Sequence, residues 1–190
     1  MIVVISPEQG VALETYWVNH LFEAGLQNFH IRKPGLDDRA VAKYIEQIDK
    51  ENYGRIVIHD MPKVAQEYGI NRLHYSERER NKSLLKSKQE FIFSTSVHSM
   101  ATFNNLDTLW EYAFISPIYP SISKIGYGVD AAIAKQLKLR TNHKTKLIGL
   151  GGMTPNNIHE AETLGVDGVA LLGAIWQSKN PLHTFKLCKI

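Results

Sequence analysis

Short apolar runs recur along the whole chain, and segments with the residue pattern of helices lie between them. The runs span four to seven residues, are rich in Val, Ile and Phe, and show little alternation of apolar and polar positions. Such continuous runs are typical of parallel strands that helices cover on both faces. The predicted strands are Ile2–Ile5, Asn28–Ile31, Arg55–His59, Arg72–Tyr75, Phe91–Val97, Tyr112–Ile118, Lys146–Leu150 and Gly168–Leu172.

The intervening segments carry the end signals of helices. Acidic residues open one segment, Lys and Arg close another, and Gly25 and Gly165 stand directly after two more. These preferences match the helix dipole and the left-handed backbone that often ends a helix. The predicted helices are Val11–Ala24, Asp37–Lys50, Asp130–Leu139 and Pro155–Leu164, with shorter ones at Pro62–Tyr68 and near Asn81–Lys88.

Strands and helices that alternate in this way form a series of βα units. The connections of such units are right-handed, and eight of them can close into a barrel. An open doubly wound sheet is the competing arrangement, but it normally has fewer strands, and no Gly-rich turn follows the first strand here. We therefore predict an α/β protein with a compact single-domain (β/α)8 TIM barrel over residues 1–190, in which some helices are shortened.

Composition narrows the classes of function. The chain has 190 residues, 44% hydrophobic and 22% charged, which is typical of soluble globular proteins and excludes disorder. The net charge of +3 is too small to indicate nucleic-acid binding, whereas the pI of about 8.9 suits a small anionic ligand. Cys188 is the single cysteine, which excludes an intrachain disulfide and a cysteine zinc cluster. Because the sequence has neither a membrane-length apolar run nor a basic leader, we expect a cytoplasmic protein without membrane contact.

Polar residues gather where the predicted strands end. In barrel enzymes the chemistry lies at the carboxyl ends of the strands, and polar groups are costly inside a core. A polar rim therefore predicts a ligand pocket. The residues at these ends include His30, Arg32, Lys33, His59, Asp60, His74, Ser96, His98, Ser121, Ser123 and Lys124.

Four of these residues are histidines at the ends of successive strands, which is compatible with a transition-metal site. No H-x-x-x-H or H-E-x-x-H spacing supports zinc, and rim histidines are more often simply hydrogen-bonded. We therefore favour hydrogen-bonded rim residues over a metal centre. Asp60 could instead hold Mg²⁺, provided that substrate phosphates supply further oxygen ligands.

Two turns have the features of a phosphate site. The glycines Gly151 and Gly152 follow the seventh strand, where a following helix would aim its free N–H groups at an anion. Leu172 and Gly173 follow the eighth strand, and barrels often bind phosphate between these two loops. Tight turns without a ligand are the alternative, but the two loops together favour phosphate.

Further candidate phosphate ligands come from two other loops. Ser121, Ser123 and Lys124 offer two hydroxyls and a cation, although an ordinary polar loop explains them equally well. Arg32 can bind phosphate in bidentate fashion, and a salt bridge to Asp60 is compatible with that role.

With these motifs in their order, the sequence resembles the thiamine phosphate synthase family and the related TenI-like thiazole tautomerases, over nearly the full chain. The resemblance implies a (β/α)8 barrel that joins hydroxymethylpyrimidine diphosphate to a thiazole phosphate, with release of pyrophosphate and with Mg²⁺. The segments that carry it are Phe29-His30-Ile31-Arg32, Ile58-His59-Asp60, Ser96-Val97-His98-Ser99, Pro117 to Lys124, Gly149 to Asn157 and Gly165 to Ala170.

Roles follow from the resemblance position by position. Arg32, Ser96 and Lys124 would be the catalytic contacts on the pyrophosphate and pyrimidine side, and Asp60 would hold Mg²⁺. The implied substrate-binding residues are His30, His59, His98, Ser121, Ser123, Gly151, Gly152, Leu172 and Gly173.

The sequence departs from the family pattern mainly at its pyrophosphate end. The usual Gln-x-Arg-x-Lys is replaced by His30-Ile31-Arg32-Lys33-Pro34, and the usual Asn before the magnesium Asp is His59. The second magnesium carboxylate could be Glu77, Glu79 or neither. At the last phosphate turn, Gly173 replaces a Ser.

These departures keep two alternatives open: a TenI-like tautomerase that shifts a proton on a thiazole carboxylate phosphate, and a non-catalytic barrel that binds a pathway phosphate. The usual catalytic histidine of the tautomerases would fall at Pro117, so His98 or His30 would have to act as the base. A homo-oligomer is also left open, because Trp17, Trp110 and Trp176 suit internal packing and interfaces equally.

Overall fold

The computed structural model describes residues 1–80, 90–120 and 132–189, and in them the apolar runs form eight parallel strands. The strands pair in sequence order, and β8 returns to pair with β1, so the sheet is a closed barrel. The predicted (β/α)8 fold is confirmed. The strands are β1 Ile2–Ile5, β2 Asn28–Ile31, β3 Ile56–His59, β4 Arg72–Tyr75, β5 Ile92–Val97, β6 Trp110–Ile115, β7 Lys146–Leu150 and β8 Gly168–Leu171.

The helices that cover the barrel are short. Within the described residues most of them span four to six positions and the longest has ten, which helps to fit eight βα units into so short a chain. The described helices are α1 Glu14–Glu23, α2 Asp38–Ile45, α3 Pro62–Glu67, α4 Glu77–Arg80, α5 Met100–Asn104, α6 Ala132–Gln136, α7 Ile158–Thr163, α8 Gly173–Trp176 and α9 Pro181–Cys188. Two 3₁₀ segments, Lys50–Arg55 and Leu137–Leu139, supplement them. The predicted helix near Asn81–Lys88 lies outside the described residues.

Several predicted boundaries are wrong: the helix predicted at Asp37–Lys50 ends at Ile45, and three others differ for reasons that the structure shows. Strand β6 ends before Pro117, which has no amide hydrogen to donate, and the N–H of Ile118 instead bonds to Leu150 O at 2.9 Å. Helix α1 starts three residues late because Leu13 is in the left-handed region, with φ 58°. Helix α7 starts at Ile158, because Asn157 first closes a turn by accepting from the Thr154 amide at 2.8 Å.

The interior of the barrel is apolar on one side and polar on the other. The polar side consists of the buried His30, His74 and Ser94, on β2, β4 and β5. The His30 ring reaches across to aromatic rings of β6, since its centroid lies 4.8 Å from that of Phe114. The apolar side is a cluster from β1, β6, β7 and β8 that contains Val3, Ile5, Tyr112, Phe114, Ile148 and Ala170.

Helix α8 reinforces the seam where β8 meets β1. The indole N–H of Trp176 donates to Ile5 O at 2.7 Å, and the ring meets Phe29 edge-on at 6.4 Å. Trp110 is also buried in the core. Internal packing therefore accounts for two of the three tryptophans. None of the helices in the described ranges combines the length and apolar character needed to cross a bilayer.

Candidate active site

A cavity of about 510 Å³ opens at the carboxyl ends of the strands, mainly above the polar side of the interior. Its floor and walls combine charged, polar and apolar side chains, as ligand cavities generally do. The residues that line it are Ile5, Ile31, Arg32, Lys33, Pro34, Val41, His59, Asp60, Met61, His74, Ser76, Arg78, Glu79, Ser96, Phe114 and Leu150. The predicted residues Arg32, His59, Asp60 and Ser96 thus share one cavity.

Arg32 is held at the cavity edge by its backbone. Its N–H donates to Ser6 Oγ at 2.8 Å, and the Ser6 hydroxyl donates to Arg32 O at 3.1 Å. The guanidinium pairs with Glu8 at 2.5 Å, and 40% of the Arg32 side chain stays exposed. The salt bridge that the sequence left open for Arg32 thus forms with Glu8 rather than with Asp60. An exposed pair of this kind contributes little stability, so the guanidinium can exchange Glu8 for an anionic ligand.

Lys33, the next residue, is a structural lysine. Its ammonium donates to Glu14 at 2.8 Å and to Pro7 O at 2.7 Å, and its side chain is only 4% exposed. Tyr44 completes the cluster by donating to Glu14 at 2.6 Å. The two neighbouring basic residues therefore have different environments, although both follow the same strand.

Asp60 stands directly after β3 in a left-handed conformation, with φ 56°. Its N–H bonds to His74 O at 3.2 Å, which ties the turn to the neighbouring strand. Burial and the nearby Glu79 carboxylate raise the pKa of Asp60 to about 6, while Arg32 opposes them. Asp60 and Glu79 both line the cavity.

The structure distinguishes between the two acidic residues that the sequence left open. Glu79 lines the cavity with Asp60. Glu77 instead pairs with His98 at 2.8 Å and with Arg80 at 3.7 Å. His98 is 56% exposed and is not among the cavity residues of the described chain, so the structure does not bring this predicted ligand to the site.

A cluster of three histidines lies at the floor of the cavity, which His59 and His74 line, while His30 is fully buried beside them. His59 and His74 occupy paired positions on β3 and β4, and their rings stack at 4.3 Å. His30 Nδ1 lies 3.0 Å from His59 Nε2, and His30 Nε2 lies 2.7 Å from the hydroxyl of Tyr112. Burial keeps the pKa of each imidazole below its usual value, to about 3 for His74. All three rings are therefore neutral at pH 7.

Serines of β5 orient the histidine of β4. His74 Nδ1 lies 2.9 Å from Ser94 Oγ, which is buried, and His74 Nε2 lies 2.8 Å from Ser96 Oγ, which borders the cavity. Sequence reasoning placed Ser96 in the site but missed Ser94 and Tyr112. The alternation of side chains along β5 and β6 could have indicated both residues, because it directs every second side chain to the interior.

The predicted phosphate turns lie at the same rim but do not line this cavity in the described chain. Gly151 and Gly152 have positive φ values of 97° and 64°, and a Cβ on Gly152 would lie 2.7 Å from Tyr119 Cβ. The glycines thus let the loop after β6 pack tightly against the loop after β7. The Leu172–Gly173 turn opens α8. The predicted ligands Ser121, Ser123 and Lys124 lie outside the described residues.

Comparisons with known proteins show the family to which the chain belongs. A family model described as thiamine monophosphate synthase matches residues 2–175. A thiamine-phosphate synthase of Listeria innocua is 26% identical over 184 residues, covering 88% of this chain and 84% of that protein. The match to a thiamine-phosphate synthase of Lactococcus lactis, at 22% identity, covers 75% of this chain but only 66% of that protein, just under two thirds of its length.

Solved structures show the same fold. A thiamine phosphate pyrophosphorylase from Bacteroides thetaiotaomicron has a TM-score of 0.78 and 24% identity, covering 98% of this chain and 94% of the other. One from Pyrococcus furiosus has a TM-score of 0.80 and 17% identity, covering 98% and 92%. At these identities the structural likeness concerns the fold alone.

Proposed function

Since this chain belongs to the thiamine monophosphate synthase family, we propose that it couples a pyrimidine diphosphate to a thiazole phosphate and releases pyrophosphate. The observation that carries the proposal is the convergence of Arg32, Asp60 and Glu79 on one cavity at the carboxyl ends of the strands. A departing pyrophosphate requires compensation of its negative charge, and these residues supply one cation and two carboxylates for a metal ion.

Asp60 and Glu79 are the residues that would hold Mg²⁺. Their oxygen atoms are the hard donors that Mg²⁺ prefers, and it commonly binds one or two carboxylates together with substrate phosphates. The effect of Glu79 on the pKa of Asp60 supports their proximity. A cation between them would relieve this repulsion. Bound Mg²⁺ would supply charge neutralisation of the pyrophosphate.

Arg32 is the residue of the chain that would contact the leaving group directly. Ser6 holds the backbone of Arg32 at the cavity edge, and the guanidinium's partner, Glu8, is itself 46% exposed. Exchange of Glu8 for a phosphate oxygen therefore needs little energy. Ser96 and His59, which line the same cavity, would contact the pyrimidine substrate.

The thiazole phosphate would bind at the remaining part of the rim. The resemblance assigns it to Ser121, Ser123, Gly151 and Gly152, together with the Leu172–Gly173 turn, and assigns Lys124 to the pyrophosphate side. These assignments remain proposals. The pairing of β7 with β8 supports the first of them, since it brings the two glycine turns to neighbouring positions.

The direct test is formation of thiamine phosphate from both substrates with Mg²⁺, followed by chromatography. We expect product with the unaltered protein and a loss of at least about a hundredfold in Asp60→Asn and Glu79→Gln. Glu77→Gln is the matched control on the same short helix and should retain turnover, because its carboxylate pairs outside the cavity. Equal losses in the two glutamate variants would contradict the metal assignment.

Other outcomes separate the alternatives. Isomerisation of a thiazole carboxylate phosphate, with no coupling product, would assign the tautomerase reaction instead. Thermal protection by thiazole phosphate without either reaction would indicate a binding protein. Arg32→Ala and Lys124→Ala should each slow coupling at least about tenfold, and normal rates in both would refute their proposed roles.

A further inference from the structure

The three histidines at the cavity floor form a cluster that the proposed reaction does not use as a whole. One ring nitrogen from each of His30, His59 and His74 lies within 4.8 Å of the other two. The three side chains come from the adjacent strands β2, β3 and β4. We propose that this cluster is a binding site for a first-row transition-metal dication, with Zn²⁺ as the reference ion, distinct from the Mg²⁺ site at Asp60 and Glu79.

The donor set has the chemistry of such a site. Imidazole nitrogens suit Zn²⁺, Cu²⁺, Ni²⁺ and Co²⁺, whereas Mg²⁺ prefers oxygen ligands. Three histidines with one open position are a known zinc ligand set, and burial already keeps these rings in the neutral form that binds metals.

One of the three nitrogen–nitrogen distances is already close to the value that a metal requires. Two nitrogens bound to zinc at about 2.0–2.1 Å in a tetrahedral site lie roughly 3.3 Å apart. His30 Nδ1 and His59 Nε2 are 3.0 Å apart, so this contact needs only a small opening, and the His74 nitrogen, which lies within 4.8 Å of both, would have to reach a similar distance. The ring that carries the proton of this contact would change tautomer when the ion binds, so that its proton moves to its own second nitrogen and both rings stay neutral.

Neighbouring groups fix the orientation of two of the ligands. Tyr112 engages Nε2 of His30, which leaves Nδ1 turned toward His59. The buried Ser94 engages Nδ1 of His74, which leaves Nε2 on the cavity side, where Ser96 now bonds to it. Histidine ligands of metals almost always have such a partner on their second nitrogen.

The surrounding charges permit a cation. Arg32 and Arg72 act on the histidines, but each is paired with a carboxylate, Arg32 with Glu8 at 2.5 Å and Arg72 with Glu111 at 2.6 Å. Asp60 directly follows one of the ligands. Since His59 and His74 border the cavity, the open coordination position would face it and accept water or an anionic group.

The test uses the full chain stripped of metal with a chelator, without substrates and with millimolar Mg²⁺ present. Its result is therefore independent of the coupling assay and can fail while that assay succeeds. Calorimetric titration with Zn²⁺ should give one site per chain, and Co²⁺ should produce visible absorption bands of nitrogen coordination. Asp60→Asn should retain this site.

Binding measurements on variants show which side chains hold the Zn²⁺ ion. His59→Asn should weaken Zn²⁺ binding at least about a hundredfold, and Tyr112→Phe, which keeps all three ligands, should weaken it about 10–100-fold. His183→Gln on the surface is the matched control and should bind normally. Circular dichroism and the melting temperature of the metal-free variants verify folding.

Two results would overturn the proposal. One is the absence of stoichiometric Zn²⁺ binding in the unaltered chain, which would leave the cluster as a hydrogen-bonded array of neutral imidazoles. The other is binding that survives His59→Asn and Tyr112→Phe but is lost in Asp60→Asn, which would place the ion at the carboxylates.

Discussion

Replacing the adjacent basic residues Arg32 and Lys33 with methionine, one at a time, should produce two different defects. Lys33→Met removes the cation from a buried cluster and leaves the Glu14 carboxylate with Tyr44 as its close side-chain partner. Arg32→Met removes a half-exposed cation whose partner, Glu8, is also in contact with water. The first change should reduce stability, and the second should reduce activity.

The burial of the two pairs sets the magnitudes. Breaking a buried ion pair by removing one partner costs about 3–5 kcal/mol, because an uncompensated charge remains in the interior. For a chain of this size that corresponds to a fall in melting temperature of roughly 6–20 °C. Exposed ion pairs contribute about 0–1 kcal/mol, so Arg32→Met should melt within a few degrees of the unaltered protein.

Urea unfolding followed by circular dichroism measures both effects on one scale. The double variant Glu14→Gln with Lys33→Met should recover part of the lost free energy, because no buried charge is then left alone. A loss below about 1 kcal/mol in Lys33→Met would refute the buried-pair reasoning. Equal losses in Lys33→Met and Arg32→Met would show that burial does not separate the two residues.

Three further predictions concern other parts of the barrel. Gly152→Ala should cost about 2 kcal/mol or more in urea unfolding, because the new methyl group meets Tyr119, whereas Gly165→Ala, also at positive φ but in open space, should cost about 1 kcal/mol. Burial pushes the pKa of Asp167 up, but hydrogen bonds from Arg140 and the Leu147 amide outweigh it and leave the pKa lowered. Asp167→Asn should therefore melt lower at pH 7, and the difference from the unaltered protein should shrink as the pH falls through that lowered pKa. Burial raises the pKa of Cys188 to about 11, so a thiol reagent at pH 8 should modify it rapidly only in denaturant.

The barrel could be predicted from sequence because its signals are local. Apolar runs mark the strands, and caps such as Asp37, whose carboxylate accepts from the Ala40 amide at 2.8 Å, mark the helices. The boundary errors arise from backbone conformation and individual hydrogen bonds, which the pattern of apolar residues does not encode. The N–H of Ile118 turns to Leu150 on the next strand, and no local pattern announces that choice.

Those residues of the candidate site that directly follow a strand could also be predicted from the sequence. Arg32, Asp60 and Ser96 follow strand ends, and parallel strands bring those ends to one rim. The buried ion pair of Lys33 could not be predicted, because its partner Glu14 lies 19 residues away on α1.

The histidine cluster could be predicted in part. The sequence places four histidines at the ends of successive strands, but the spacing rules for metal ligands on one helix do not apply to ligands from separate strands, so hydrogen-bonded rim residues were favoured. The register of the strands, which the sequence does not show, brings three of these rings together and leaves His98 outside.

The indole of Trp176 gives the barrel an intrinsic optical probe at its first and last strands. Its N–H bond to Ile5 O and its edge contact with Phe29 exist only while the ring of strands is complete. Tryptophan emission should therefore respond to separation of β1 from β8. In a chain in which Trp17 and Trp110 are replaced by phenylalanine, the emission would come from Trp176 alone and would report only this separation. Time-resolved fluorescence could then establish whether the cylinder comes apart at this edge before the remaining strands separate.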